Sequence, residues 1–474
     1  MSTEPSGTNI EGEAPISETV VETDDATITD DAELERTLGL VGGLAIGIGT
    51  MIGAGIFVFP GLAGAEVGTA ATASFAVSGV VALLVALPTS ELATAMPKSG
   101  GGYYFISRGL GTLAGTVVGL SLWLGLVFAT AFYLVGLGFY ALDALALVGI
   151  TIETSPGGIV SVLAVVFGIG FTMLNLTGTE NVAKLQNGIV ALLLSMLVAF
   201  LAFGVFDVLG VVGAEASGGT EADRWAALPI LSTAALVFTS YLGFAQVATV
   251  AGEIKRPGRN LPLAMIGSVL IVTIMYVLTI FIATSVFDRT QLGAFGETAM
   301  VEIGRELLGL GGALVIVVGG LLATMSSANA SILSTSRAIY GVSKDAILPR
   351  WASRINLRFG TPHVALGMAG GPVIVLAATR EVQLLAEVAS FLHLIMYGLI
   401  CVALVAIRRD EPEWYDPEFR VPAGPIISVV GAVASFALIA FMDPASILVG
   451  ALVILATTGW YFYYARDVTL RGAL

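Results

Sequence analysis

The chain has 474 residues, 56% of them hydrophobic and only 12% charged, with a mean hydropathy of +0.92 and a net charge of −14. A water-soluble domain carries about twice that charge fraction, so a soluble globular enzyme is excluded as the working class and no nucleic-acid partner is expected. The apolar residues fall in blocks such as 157–176 and 266–286, and about 20 residues suffice to cross the hydrocarbon layer of a lipid bilayer.

Residues 1–35 hold eleven acids and no base. With few aromatics and no periodicity they read as a disordered acidic cytoplasmic tail, not as a cleavable signal. Twelve spans follow, at 38–64, 69–96, 103–137, 157–176, 182–206, 227–253, 261–286, 310–342, 363–379, 382–407, 424–441 and 445–464. Lipid-exposed backbone has to satisfy its own hydrogen bonds, so all twelve are expected to be helices. With both termini in the cytoplasm of a cell-membrane protein, 17 of the 21 Lys and Arg residues fall on the cytoplasmic side, the bias that sets topology.

Small residues interrupt the first span at Gly49-Thr50-Met51-Ile52-Gly53-Ala54-Gly55-Ile56-Phe57. Gly53 and Gly55, near its midpoint, disfavour continuous helix and let backbone approach a ligand. Gly49 and Gly53 also make a GxxxG, which commonly serves helix packing. The sixth span carries a second mid-span run, Phe238-Thr239-Ser240-Tyr241-Leu242-Gly243-Phe244. Being five crossings apart, the two spans run in opposite directions, and paired interruptions of this kind are expected in an inverted-repeat transporter. A half-helix starting near Gly55 offers free N–H groups to a carboxylate. A half-helix ending near Phe238 offers carbonyls to an ammonium. Together they would hold a zwitterion without a charged side chain, whose burial at mid-membrane costs at least about 2.5–3.5 kcal/mol on insertion scales.

Four segments resemble the amino acid–polyamine–organocation (APC) superfamily: Gly49 to Phe57; Glu91-Leu92-Ala93 with Pro97 to Tyr103; Tyr241 to Gly243 with Ala251 to Pro262; and Ser326 to Ser331 with Ser336-Arg337 and Asp345 to Pro349. The resemblance covers about 38–420. It implies an all-α membrane fold of twelve helices, with residues 36–206 and 207–423 as five-plus-five inverted repeats and 424–474 as two extra helices and a short C-terminus. It implies carboxylate binding at the amides of Ala54, Gly55 and Ile56, and ammonium binding at the carbonyls of Met51, Phe238 and Tyr241. Tyr241 is also the candidate aromatic gate. Ile52, Gly53, Thr239, Ser240 and Gly243 complete the site, and Trp123 is expected to line the side-chain pocket. The chain departs from the family where many members have an acid after the helix 6 Gly-Phe, here Ala245, and where some proton-coupled members have a helix 5 lysine, here Leu193.

Without that lysine, Na⁺ and H⁺ are both candidate coupling ions. Na⁺ would use the carbonyls of Gly49 and Ile52 and the hydroxyls of Ser326 and Ser327, serines that equally serve interhelical hydrogen bonds. His393, mid-span, is the candidate proton carrier, or else a neutral imidazole bonded to a backbone carbonyl. Glu91, Glu253 and Asp345 are expected to pair with Lys98, Lys255 or Arg337 as gates, and Glu387 is a weaker outer-gate candidate. With one cysteine, Cys401, and two histidines, His363 and His393, there is no disulfide and no metal set. The chain has no phosphate-binding loop, and neither cofactor nor enzymatic activity is expected. The leading expectation is a secondary carrier of a neutral amino acid. An amino acid–metabolite exchanger, a polyamine carrier and a non-transporting amino acid sensor are the alternatives.

Overall fold

In the computed structural model of the protein, residues 36, 38–96, 101–150, 156–176, 180–210, 225–356 and 361–468 are described. The acidic tail at 1–35 and Lys98 lie outside them.

The described chain is built from helices, with isolated bridges at Leu38–Ile254 and Asn356–Thr361 instead of strands. In order these are α1 (Leu40–Met51), α2 (Gly55–Val67), α3 (Ala71–Ala95), α4 (Gly101–Leu147), α5 (Pro156–Leu176), α6 (Glu180–Val208) and α7 (Ala227–Val237). A 3-10 stretch over Phe238–Ala245 leads into α8 (Gln246–Thr249), then α9 (Pro257–Val286), α10 (Arg289–Phe295) and α11 (Ala299–Lys344). The chain ends with α12 (His363–Ala377), α13 (Val382–Asp410), α14 (Gly424–Ile439) and α15 (Pro444–Trp460). Nine stretches of the described residues are long and apolar enough to cross a membrane, and α1, α12 and α14 are shorter apolar helices. The protein is therefore a multi-pass membrane protein, and its outward-facing surface suits lipid: Val162 on α5, Ile274 on α9, Val433 on α14 and Leu455 on α15 are all more than half exposed.

Each predicted span coincides with helix, but two differ in extent. The third continues ten residues beyond Leu137 as part of α4, which kinks at Gly111, where φ is +84°. The eighth begins earlier, at Ala299, and bends at Gly309 (φ +62°). Both kinks fall on glycines because a side chain disfavours that left-handed backbone. The short helix α10 was not anticipated. It is set by a capping box in which the Asp288 carboxylate accepts from the Gln291 backbone amide and Gln291 Oε1 accepts from the Asp288 backbone amide.

The core lies where α4 packs along α13 and α11, while α3 and α1 pack against α9. Between these groups run the two interrupted segments.

Candidate functional site

The first interruption is a true break. α1 ends at Met51, α2 begins at Gly55, and Ile52, Gly53 and Ala54 connect them. The Ile52 amide still bonds Ile48 (2.8 Å) and the Gly53 amide turns back onto the Met51 carbonyl (2.9 Å). On the far side, Phe57 and Val58 donate to the Ala54 carbonyl (3.1 and 2.8 Å). The amides of Ala54, Gly55 and Ile56 meet no acceptor among the described residues. All three residues are fully buried. A buried unpaired amide costs about 1–3 kcal/mol, and these three sit at the positive end of α2. The arrangement is suited to an anionic oxygen.

The second interruption differs in kind. α7 tightens into a 3-10 coil over Phe238–Ala245 and returns to α-helix at Gln246, so the chain stays helical throughout. In such a coil most carbonyls are used by i→i+3 bonds, which leaves Phe238 and Tyr241 less available than a broken end would. Carbonyls in this stretch accept from outside instead. Tyr397 of α13 donates to Leu242 (2.9 Å), and Tyr276 of α9 lies 3.2 Å from the Ser240 carbonyl. Thr50 Oγ1 is 2.9 Å from the Gly243 carbonyl and 2.7 Å from that of Ile46, with one proton to serve either. Tyr276 also donates to the Met51 carbonyl at 2.7 Å, so that acceptor is already engaged.

Glycines let the two interruptions touch. A Cβ on Gly243 would lie 2.5 Å from the Met51 nitrogen. One on Gly53 would meet Ser327 Oγ at 2.5 Å, and one on Gly55 would overlap the Ser240 side chain, with Cβ at 2.9 Å. Gly49 faces Val190 of α6 rather than α11, so Gly49 and Gly53 do not form a single helix-packing seam. The hydroxyls of Ser240 and Ser327 are buried without a hydrogen-bond partner. Two unpartnered hydroxyls therefore lie beside Gly53 and Gly55, next to the three unpaired amides.

A cavity of about 520 Å³ leads to this point. Gly49, Thr50, Leu126, Ala129, Tyr133, Gly243, Ser326, Ser327 and His393 are among the residues that line it, and among the described residues its lining has no Asp, Glu, Lys or Arg. It reaches Val41 near the start of α1, which is 80% exposed. On the other side of the break the way is closed. Phe59 stacks on Phe132 at 5.1 Å, and Tyr140 meets Phe57 edge-on while donating to its carbonyl at 2.9 Å. The cavity is thus one-sided, ending at the interruption.

The anticipated site residues divide accordingly. Gly49, Gly243, Ser326, Ser327 and His393 face the cavity, whereas Met51, Ile52, Gly53, Ala54, Gly55, Ile56, Phe238, Thr239, Ser240 and Tyr241 lie buried behind its wall. Thr239 ties the 3-10 stretch to α13 through Ser390 (2.6 Å) and the Ala386 carbonyl. Tyr241 is wholly buried, donating to the Phe75 carbonyl at 2.9 Å. Trp123 lies off the cavity lining, and Leu126, Ala129 and Tyr133 occupy the α4 wall instead. His393 places Nδ1 2.8 Å from the Ala389 carbonyl. Leu193 packs by Phe57 on the closed side. The residues that sequence reasoning missed are Tyr133, Tyr276 and Tyr397. A phenol in the middle of an apolar span needs a partner for its hydroxyl, and that was the available signal for the two that donate.

Glu91 takes partners that its expected pairing with Lys98, Lys255 or Arg337 did not include. Glu91 of α3, fully buried, receives two bonds from Arg408 of α13 (2.7 and 2.5 Å), one from the Val421 amide (2.7 Å) and one from the Tyr415 hydroxyl. Burial and the Glu91 carboxylate hold the Tyr415 phenol above its ordinary range, so it remains a donor. Asp345 accepts from Tyr103 at 2.8 Å. Glu387 accepts from Gln383 (2.9 Å) and from the Asp443 amide (2.8 Å), which joins α13 to the start of α15.

Comparison with known proteins adds a family. A profile described as amino acid permease matches residues 38–464. An uncharacterized transporter of Mycobacterium tuberculosis is 29% identical, over 93% of this chain and 93% of its own length. A branched-chain amino acid permease of Bacillus subtilis is 27% identical, over 93% and 95%. A methylthioribose transporter of the same organism is 25% identical, over 92% and 95%.

Proposed function

Since the chain belongs to the amino acid permease family of the APC superfamily, we propose that it is a secondary carrier that moves a neutral amino acid across the cell membrane by alternating access. The observation that carries this reading is the set of unpaired amides at Ala54, Gly55 and Ile56, buried just behind the wall of a one-sided cavity that Thr50, Gly243 and Ser327 line. A substrate carboxylate seated there would relieve three buried donors at once, and the Ser240 and Ser327 hydroxyls are the nearest further partners. Because the Met51 carbonyl already accepts from Tyr276, the ammonium end is better served by other carbonyls of the interrupted segments and by Thr50. A polyamine would require carboxylates, and the cavity wall has none. The methylthioribose-transporting relative shares no zwitterion with this proposal, so a neutral sugar derivative is the second reading.

In this proposal twelve crossings form two inverted repeats, 36–206 and 207–423, followed by two further helices in 424–474. With the N-terminus cytoplasmic, the cavity faces inward. Gly49, Ser326 and Ser327 share its wall, and they supply oxygens without a carboxylate, a donor set suited to Na⁺. The deciding experiment is uptake by proteoliposomes of each neutral amino acid, with Na⁺ or a pH gradient imposed separately. Saturable uptake of at least one amino acid is expected. Transport of methylthioribose alone would overturn the amino acid assignment, and binding with no flux would overturn the carrier assignment.

A further inference from the structure

His393 is the one titratable side chain among the described residues lining the cavity besides Tyr133, and the carrier mechanism above does not use it. Its surroundings fix the ring. Nδ1 lies 2.8 Å from the Ala389 carbonyl, an atom that can only accept, so Nδ1 bears the proton. Gly125 of α4 backs the ring so closely that a Cβ there would lie 2.9 Å from both Cε1 and Nδ1. Tyr397 packs at 6.1 Å between ring centroids. In the neutral ring Nε2 then carries a lone pair, and it has no protein donor among the described residues.

Its depth matches that of the interruption. On α13, Ser390 bonds Thr239 and Tyr397 bonds Leu242, so His393, between them, is level with the 3-10 stretch. The cavity wall it shares mixes apolar residues, Leu126, Ala129 and Leu242, with polar ones, Thr50, Gln246, Ser326 and Ser327. An acceptor without a protein donor rewards a substrate group that brings one.

We propose that His393 is a specificity-determining residue whose Nε2 accepts a hydrogen bond from the substrate side chain, so that the carrier prefers small hydroxyl amino acids to their aliphatic isosteres. This rests on the reading of the cavity as an amino acid site. Threonine and valine differ by hydroxyl against methyl and are the appropriate probes, with serine and alanine as a second pair.

The test is competition against labelled threonine in proteoliposomes holding the full chain. Wild-type protein is expected to favour threonine over valine by about two- to tenfold, the range of one net hydrogen bond. In His393→Leu the ratio should fall to about one, and in His393→Gln, whose amide oxygen can take the place of Nε2, it should largely persist. Gly125→Ala, which pushes the ring off its seat, should lower the ratio even if His393→Leu does not fold. Equal competition by valine and threonine in wild-type protein, or an undiminished preference in His393→Leu and Gly125→Ala, overturns the proposal. If none of the four is taken up while another neutral amino acid is, this inference fails alone; if no neutral amino acid is taken up, the amino acid reading of the cavity fails first, and this inference fails with it.

Discussion

Single residues at the break are set by atomic clearance. Gly55 faces Ser240 with no room for a methyl group, and overpacking of this kind costs about 1–3 kcal/mol. Gly55→Ala is expected to cut uptake below about a tenth of wild type, by displacing the amides at the start of α2. Adding Ser240→Gly should restore the melting temperature, because the overlap is with that side chain. Near-normal uptake by Gly55→Ala would remove the amides from the site. That Gly53 and Gly55 matter was legible in the sequence, since a glycine pair at mid-span has a backbone meaning wherever it occurs. Their neighbours Ser327 and Ser240 were legible only as polar residues in apolar spans. Their unpartnered state depends on what the fold brings to them.

Elements are held in register by hydroxyls donated to backbone. Tyr276 links α9 to the Met51 carbonyl and Tyr397 links α13 to the Leu242 carbonyl. Removing the first in Tyr276→Phe should destabilise the protein by about 1–3 kcal/mol, the cost of one orphaned buried acceptor. A thermal melt unchanged by the substitution would contradict this. The Glu91–Arg408 pair makes an asymmetric prediction. Glu91 is fully buried, whereas the Arg408 side chain is 20% exposed. Arg408→Ala strands a carboxylate away from water and should cost about 3–5 kcal/mol. Glu91→Gln leaves a cation that water still reaches, and should cost less. The reverse order in denaturation midpoints would show that the guanidinium is the more confined partner. The sixth span, α7 with its 3-10 stretch, illustrates the limit of reading elements from sequence: its interruption is expected, but its 3-10 form is not. Residues 238–245 alone do not distinguish a break from a tightened coil, and the hydroxyls of Tyr276, Tyr397 and Thr50 that hold the coil come from other segments.

For the whole molecule the prediction concerns access. The cavity opens near Val41 and closes at Phe57, Phe59, Phe132 and Tyr140. The single native cysteine, Cys401, is buried, so background labelling should be low. Ser331→Cys and Ser334→Cys, on the cavity wall, should react with an impermeant thiol reagent from the cytoplasmic side, and saturating substrate should slow the reaction. Labelling only from outside would reverse the orientation. The sequence by itself determined that this is a helical membrane protein with a backbone-lined interruption in its first span. Span length, apolar content and glycine placement are local properties that need no partner to be read. Only the tertiary structure decided which carbonyls are engaged, which hydroxyls are left unpartnered and at which end the cavity opens. Each of those depends on pairing atoms from distant segments, as when Met51 meets Tyr276, 225 residues away, and a one-dimensional pattern records such pairs only as isolated polar residues.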